Sequence, residues 1–94
     1  MKLWVDDLRP APNDDWVWCK TSAHALAVMN YQLLVAKRPP EEMSLDHDLG
    51  GDDTTRPVVL WMCQNSFWPP VVRVHSFNPV GREWLSGMIE RYKP

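Results

Sequence analysis

The chain has 94 residues and a mass of 10.9 kDa, enough for one small domain and too little for two independent cores. It is 45% hydrophobic and 23% charged with a formal net charge of -2, a globular composition rather than a disordered one. A pI near 5.8 with no run of Lys and Arg excludes nonspecific tracking of a nucleic-acid backbone but leaves a small nucleotide or a free RNA end open, and apolar runs far short of the ~20 residues of a membrane span exclude membrane residence.

Lys2-Leu3-Trp4-Val5 is β-prone and stops in Asp6-Asp7; the prolines and turn formers from Leu8 to Asp15 then predict a loop. Trp16-Val17-Trp18-Cys19 is a second strand, with Trp16 and Trp18 on one face by the two-residue period. Thr21 or Ser22 caps a helix predicted over 22–37, with Leu26, Met29 and Leu33 along one side, Lys37 and Arg38 at its C-terminal dipole and Pro39-Pro40 closing it. Met43-Ser44-Leu45 is a brief strand that runs into the acidic loop Asp46-His47-Asp48-Leu49-Gly50-Gly51-Asp52-Asp53, where the two glycines serve a chain reversal. Thr54 or Thr55 caps the next helix, with Pro57 in its first turn and an apolar body from Val58 to Phe67 that lasts until Trp68-Pro69-Pro70. Val71-Val72-Arg73-Val74 is the clearest strand. It leads through His75-Ser76-Phe77 to the cap and first-turn pair Asn78-Pro79 of a last helix carrying Leu85, Met88, Ile89 and Tyr92.

Alternating strands and helices predict an α/β domain over residues 1–94, with a four-stranded, mainly parallel sheet and helices on its faces. The six tryptophans are expected mostly in the core, with Trp16 and Trp68 partly exposed beside loops. Cys19 and Cys63 form no metal or CxxC spacing and read as reduced core thiols. The first residues lack a long apolar segment and a cleavage site, so the expected address is the cytoplasm.

Ligands of open parallel sheets bind beyond the carboxyl ends of the strands, and the polar residues collect there. Asp6, Asp7 and Asp46 offer hard oxygen ligands for Mg²⁺ or Mn²⁺, a cation that would offset the repulsion among them. His47 and His75, also at strand ends, are candidates either to divide the proton transfers of a phosphodiester opening between them or for one to act while the metal generates the hydroxide, whereas His24 has no polar companions and reads as structural. Ser76 lies just before the last helix, where free amides and the helix dipole attract an anion. Asn78 and Arg9 join it as phosphate contacts, and Arg82 is a weaker one.

Three ordered blocks, Val5-Asp6-Asp7-Leu8-Arg9-Pro10, Ser44-Leu45-Asp46-His47-Asp48-Leu49-Gly50 and Val74-His75-Ser76-Phe77-Asn78-Pro79-Val80-Gly81, resemble the signatures of the cyclic-phosphate processing receiver-like domain, a divergent relative of response-regulator receivers. The resemblance spans nearly the whole chain. It implies a receiver-like, flavodoxin-like fold of three layers, truncated before the fifth strand, with Asp6 and Asp7 as the metal-binding acidic pair, Asp46 at the phosphoryl-accepting position and Ser76 as the hydroxyl after the fourth strand. A proline-rich loop stands where receivers have their first helix, and no lysine fills the fifth-strand position, since Lys93 is too near the end of the sequence. That departure counts against a phosphorylation switch at Asp46. The implied activity is a metal-assisted phosphoesterase acting on a cyclic phosphate of a nucleotide or RNA end. The alternative is a non-catalytic module that binds a cyclic nucleotide or a protein partner.

Overall fold

Short β-prone runs separated by Pro-rich and acidic loops build β1 (Lys2–Val5), β2 (Trp16–Cys19), β3 (Glu42–Leu45) and β4 (Val71–Val74) in a computed structural model that describes Met1–Pro94. All neighbours pair parallel, in the order β2-β1-β3-β4. This is the expected four-stranded α/β receiver-like sheet. Its register sets Val5 beside Cys19 on one side and Leu45 on the other, and Leu45 beside Val74, so one face carries Leu3, Val5, Cys19, Met43 and Leu45.

Three helices bury that face: α1 (Ser22–Tyr31), α2 (Arg56–Asn65) and α3 (Pro79–Tyr92). Ala25 and Met29 of α1, Val58, Val59 and Met62 of α2 and Leu85 of α3 close over the strand residues in one cluster, where full burial of a Leu, Val or Met contributes roughly 1.5–3 kcal/mol. The opposite face receives no helix. There the structure departs from the expected helical third layer, and side chains and the β1–β2 loop cover the sheet instead: Trp4 packs edge-on against Trp16 at 5.8 Å, Lys2 and Lys20 lie over Trp16 and Trp18, and Trp18 Nε1 donates to the Asp6 carbonyl at 2.7 Å.

The expectation of a tryptophan-rich core is therefore corrected. All six tryptophans are half-buried, three of them lining the face without helices, while the core is built of Leu, Val and Met. An indole with one polar N–H suits a layer that is apolar beneath and wet above. Thr21 caps α1 as expected, its hydroxyl accepting the His24 amide at 3.1 Å. The predicted helix over 22–37 is not regular throughout: Gln32–Ala36 form a π-helical turn that ends at Lys37 with φ 58°. That wider turn keeps Gln32 inward, where its carbonyl accepts the Lys37 and Arg38 amides, and it leaves Leu34 and Val35 exposed. Likewise α2 stops at Asn65 rather than Phe67, because Ser66 turns left-handed at φ 49°.

Candidate functional site

The hydrogen-bond ladder continues one residue past β1, β3 and β4. Asp6 donates its amide to Cys19, Asp46 to Val5 and His75 to Leu45, at 2.9–3.1 Å. Side chains alternate along this extension, so Asp6, Asp46 and His75 turn together toward the tryptophan face, whereas His47, one residue on, turns toward the helices. The carboxylates of Asp6, Asp7 and Asp46 come together with one oxygen from each within 4.8 Å of the others. They border an open cavity of about 510 Å³, whose wall also includes Arg9, Asp48, Gly50, Ser76 and Asn78. The acidic trio, Ser76, Asn78 and Arg9 are thus brought to one place, as the sequence implied.

Asp6 is the hub. It is fully buried, and its Oδ1 accepts the Leu8 and Arg9 amides at 2.8 and 2.9 Å. Its Oδ2 accepts Arg9 Nε and His75 Nε2, both at 3.0 Å. Burial pushes this carboxyl up, but the amide bonds of Arg9 and Leu8, the His75 bond and the Arg9 charge together hold it below the usual carboxylate range. Arg9 reaches on to Asp46 Oδ2 at 3.6 Å and to the His75 carbonyl at 2.6 Å, so one guanidinium ties the ends of β1, β3 and β4 together.

Neither histidine lines the cavity. His75 stands behind Asp6, stacked on Trp4 at 4.0 Å with its Nδ1 2.7 Å from the Ser44 hydroxyl. Its burial, reinforced by Arg9 and opposed by Asp6, lowers its pKa. The neutral ring then donates from Nε2 to Asp6 and accepts from Ser44 at Nδ1. His47 stands behind Asp48, with Nδ1 2.9 Å from Asp48 Oδ1 and Nε2 accepting Arg56 Nε at 2.9 Å. Asp48 also accepts Asn78 Nδ2 at 3.0 Å, and these two bonds, Asn78 first, hold its carboxyl low.

The ring of His47 lies so close to α3 that a Cβ on Gly81 would overlap it. Asn78 spends its own side chain on the cap of α3, its Oδ1 accepting the Gly81 amide at 3.1 Å, which takes up part of the anion-holding capacity expected of that helix start. Ser76 is buried and accepts the Asn78 amide at 3.1 Å. Thr55 does not cap α2 with its hydroxyl but donates to the Asp46 carbonyl at 2.6 Å, bracing the end of β3. Arg82 lines a separate cavity with Val72, Val74 and Glu90, and His24 sits exposed on α1, away from the acid-lined cavity.

Sequence reasoning missed Ser44, Arg56, Leu8 and Phe77 as neighbours of the site. Ser44 could have been found from parity, since it sits two residues before Asp46 on the same face as His75. Gly50, read only as a turn, also makes room: at φ 87°, a Cβ there would press on Asp7 Oδ2 at 3.1 Å.

The donor set fits a hard divalent cation. Three carboxylates converge, and the Asp7 side chain makes no hydrogen bond within the chain, although Asp6 would have to give up part of its bond to Arg9. No helix is long and apolar enough to cross a membrane. The profile of the cyclic-phosphate processing receiver domain matches residues 1–91, and the chain belongs to that family. No curated protein and no solved structure gave a match.

Proposed function

We propose that this member of the cyclic-phosphate processing receiver family is a cytoplasmic phosphoesterase that opens the cyclic phosphate of a nucleotide or RNA end. The observation that carries the reading is the convergence of Asp6, Asp7 and Asp46 with Arg9 and Ser76 in one cavity at the carboxyl end of a parallel sheet. Four carboxylates against one guanidinium line this cavity, so an anionic phosphodiester needs a cation to enter. Asp6, Asp7 and Asp46 would hold Mg²⁺ or Mn²⁺, which when bound supplies charge neutralisation and a more acidic water.

The chain's own groups supply the rest. Arg9 offers guanidinium N–H donors to the phosphate oxygens, and Ser76, whose Oγ already accepts an amide, turns its proton outward to a second oxygen. Asp48, held low in pKa between Asn78 and His47, orients the attacking water rather than keeping its proton. The water oxygen bonds to phosphorus, one of the two ester P–O bonds of the ring breaks, and a proton from the water ends on the released ribose oxygen. His75 and His47 are positioning residues that act through Asp6 and Asp48. Cys19 and Cys63 are free thiols, which suits a reducing compartment.

One observation favours a second reading, binding without turnover: no imidazole reaches the cavity, and Arg9 already satisfies Asp6 and approaches Asp46. A ³¹P spectrum of the protein with 2′,3′- and 3′,5′-cyclic nucleotides separates the two. Conversion to a monoester that needs Mg²⁺ or Mn²⁺ and is lost in Asp46→Asn supports hydrolysis. A shifted but unconverted diester signal establishes the binding module instead.

A further inference from the structure

Leu8 and Phe77 are the two most exposed large apolar side chains of the molecule, at 80% and 85%. Single exposed apolar residues are ordinary on a protein surface. These two, however, come from loops that follow different strands, β1 and β4, and both border the same acid-lined cavity. They are its only apolar lining. The Phe77 ring is also held: the Arg9 guanidinium lies over it at 4.8 Å, and that guanidinium is fixed in turn by Asp6 and the His75 carbonyl. A ring fixed on one side by a cation and left to solvent on the other is a flat, electron-rich platform with a free face.

From this juxtaposition we infer that Phe77, with Leu8 beside it, is a stacking platform for a nucleobase, so the cavity takes a cyclic phosphate that carries a base rather than a bare sugar phosphate. Arg9 links the two halves of the ligand. Its guanidinium touches the Phe77 ring on one side and the Asp6 and Asp46 carboxylates on the other, so the base platform and the phosphate end are one guanidinium apart, a gap for a ribose to bridge. The cavity, about 510 Å³, is of the size that holds a small ligand such as a mononucleotide. Stacking on an aromatic ring tolerates every base, because each has a π face. The platform therefore selects for the presence of a base and not for its identity.

The inference rests on the cyclic-phosphate reading above, and the test keeps the two apart. Adenosine 2′,3′-cyclic phosphate and the methyl riboside 2′,3′-cyclic phosphate, which lacks only the base, are compared with Mg²⁺ present, as are the two 3′,5′-linked counterparts. Affinity is read by calorimetry and conversion by ³¹P NMR, for the native protein, Phe77→Ala, Phe77→Trp and Leu8→Ser. The native protein is expected to prefer the nucleotide roughly tenfold or more in Kd. That preference falls toward unity in Phe77→Ala, falls less in Leu8→Ser and is restored in Phe77→Trp. Because Phe77 is exposed, unchanged thermal unfolding of the variants confirms that the fold is intact. Equal affinity of the native protein for both members of each pair, or a preference that survives in Phe77→Ala, overturns the inference and leaves the phosphoesterase reading standing. A Phe77-dependent preference without conversion supports the platform and overturns hydrolysis. No binding of any of the four compounds overturns both.

Discussion

His75 and His47 each hold one carboxylate at the rim of the same cavity, but from opposite sides of the sheet. His75 lies on the tryptophan face, stacked on Trp4 and bonded to Ser44, and its Asp6 is fully buried. His47 lies on the helix face, packed on Gly81 and bonded to Arg56, and its Asp48 is exposed. The same two residue types thus make a rigid strut on one side and an adjustable, solvent-reaching arm on the other. Surroundings decide the division: an aromatic wall and three chain donors around Asp6, against open water and one amide around Asp48.

The comparison breaks most visibly at Asp6. Asp6→Asn removes the buried acceptor shared by Arg9, itself 38% exposed, and His75, which should cost about 2 kcal/mol, read from urea unfolding in EDTA. Asp48→Asn, on the exposed side, should change stability by less than about 1 kcal/mol. Equal losses would show that the two pairs are not different in kind. On the helix side, Gly81→Ala should cost roughly 1–3 kcal/mol, because the new methyl must push the His47 ring aside. Most of that loss should disappear when Gly81→Ala is made in a His47→Ala background, a non-additivity measured by a double-mutant cycle.

The parity that separates the two histidines was present in the sequence, and it explains what could be read and what could not. Strand positions, the acids at their ends, Thr21 and Asn78 as caps and the gathering of Asp6, Asp7, Asp46, Arg9, Ser76 and Asn78 follow from local pattern and from where parallel strands point their carboxyl ends. Position at a strand end does not say which way His47 and His75 face; the register of Leu45 with Val74 does, putting His75 level with Asp46 and His47 one residue beyond. The tryptophans misled because size suggested burial, whereas a sheet with helices on one face needs amphipathic residues on the other. The π-helical turn at Gln32–Ala36 depends on where Gln32 is buried, a tertiary fact that no local preference states.

Smaller effects sharpen the contrast. His75 has its pKa lowered from 6.5 in the folded chain, chiefly by burial, so between the folded and unfolded values the unfolded chain binds more protons. Its contribution to stability is therefore present above about pH 6.5 and is lost as pH falls toward the folded value. In metal-free buffer, unfolding free energy should decline on acidification through this range, and His75→Gln should flatten the decline. An unchanged slope would remove His75 from the account of acid sensitivity. A similarly small effect is expected of Arg56→Gln, which loses one bond to His47 Nε2 at a cost of roughly 1 kcal/mol. Its sharper readout is the His47 ring in ¹⁵N NMR, where the proton fixed on Nδ1 should begin to exchange between the two nitrogens.

The central claim is that the carboxylate trio and Arg9 bring a cation and a cyclic phosphate together in one cavity. Paramagnetic relaxation of the ³¹P signal of a cyclic nucleotide by Mn²⁺ tests it most directly, because the effect falls steeply with distance from the metal. With the native protein, relaxation well above that of Mn²⁺ and nucleotide alone is expected, and it should return to that baseline in Asp7→Asn, a change to a side chain that makes no hydrogen bond within the chain. Relaxation no different from the protein-free mixture, or enhancement that persists in Asp7→Asn, would contradict the claim.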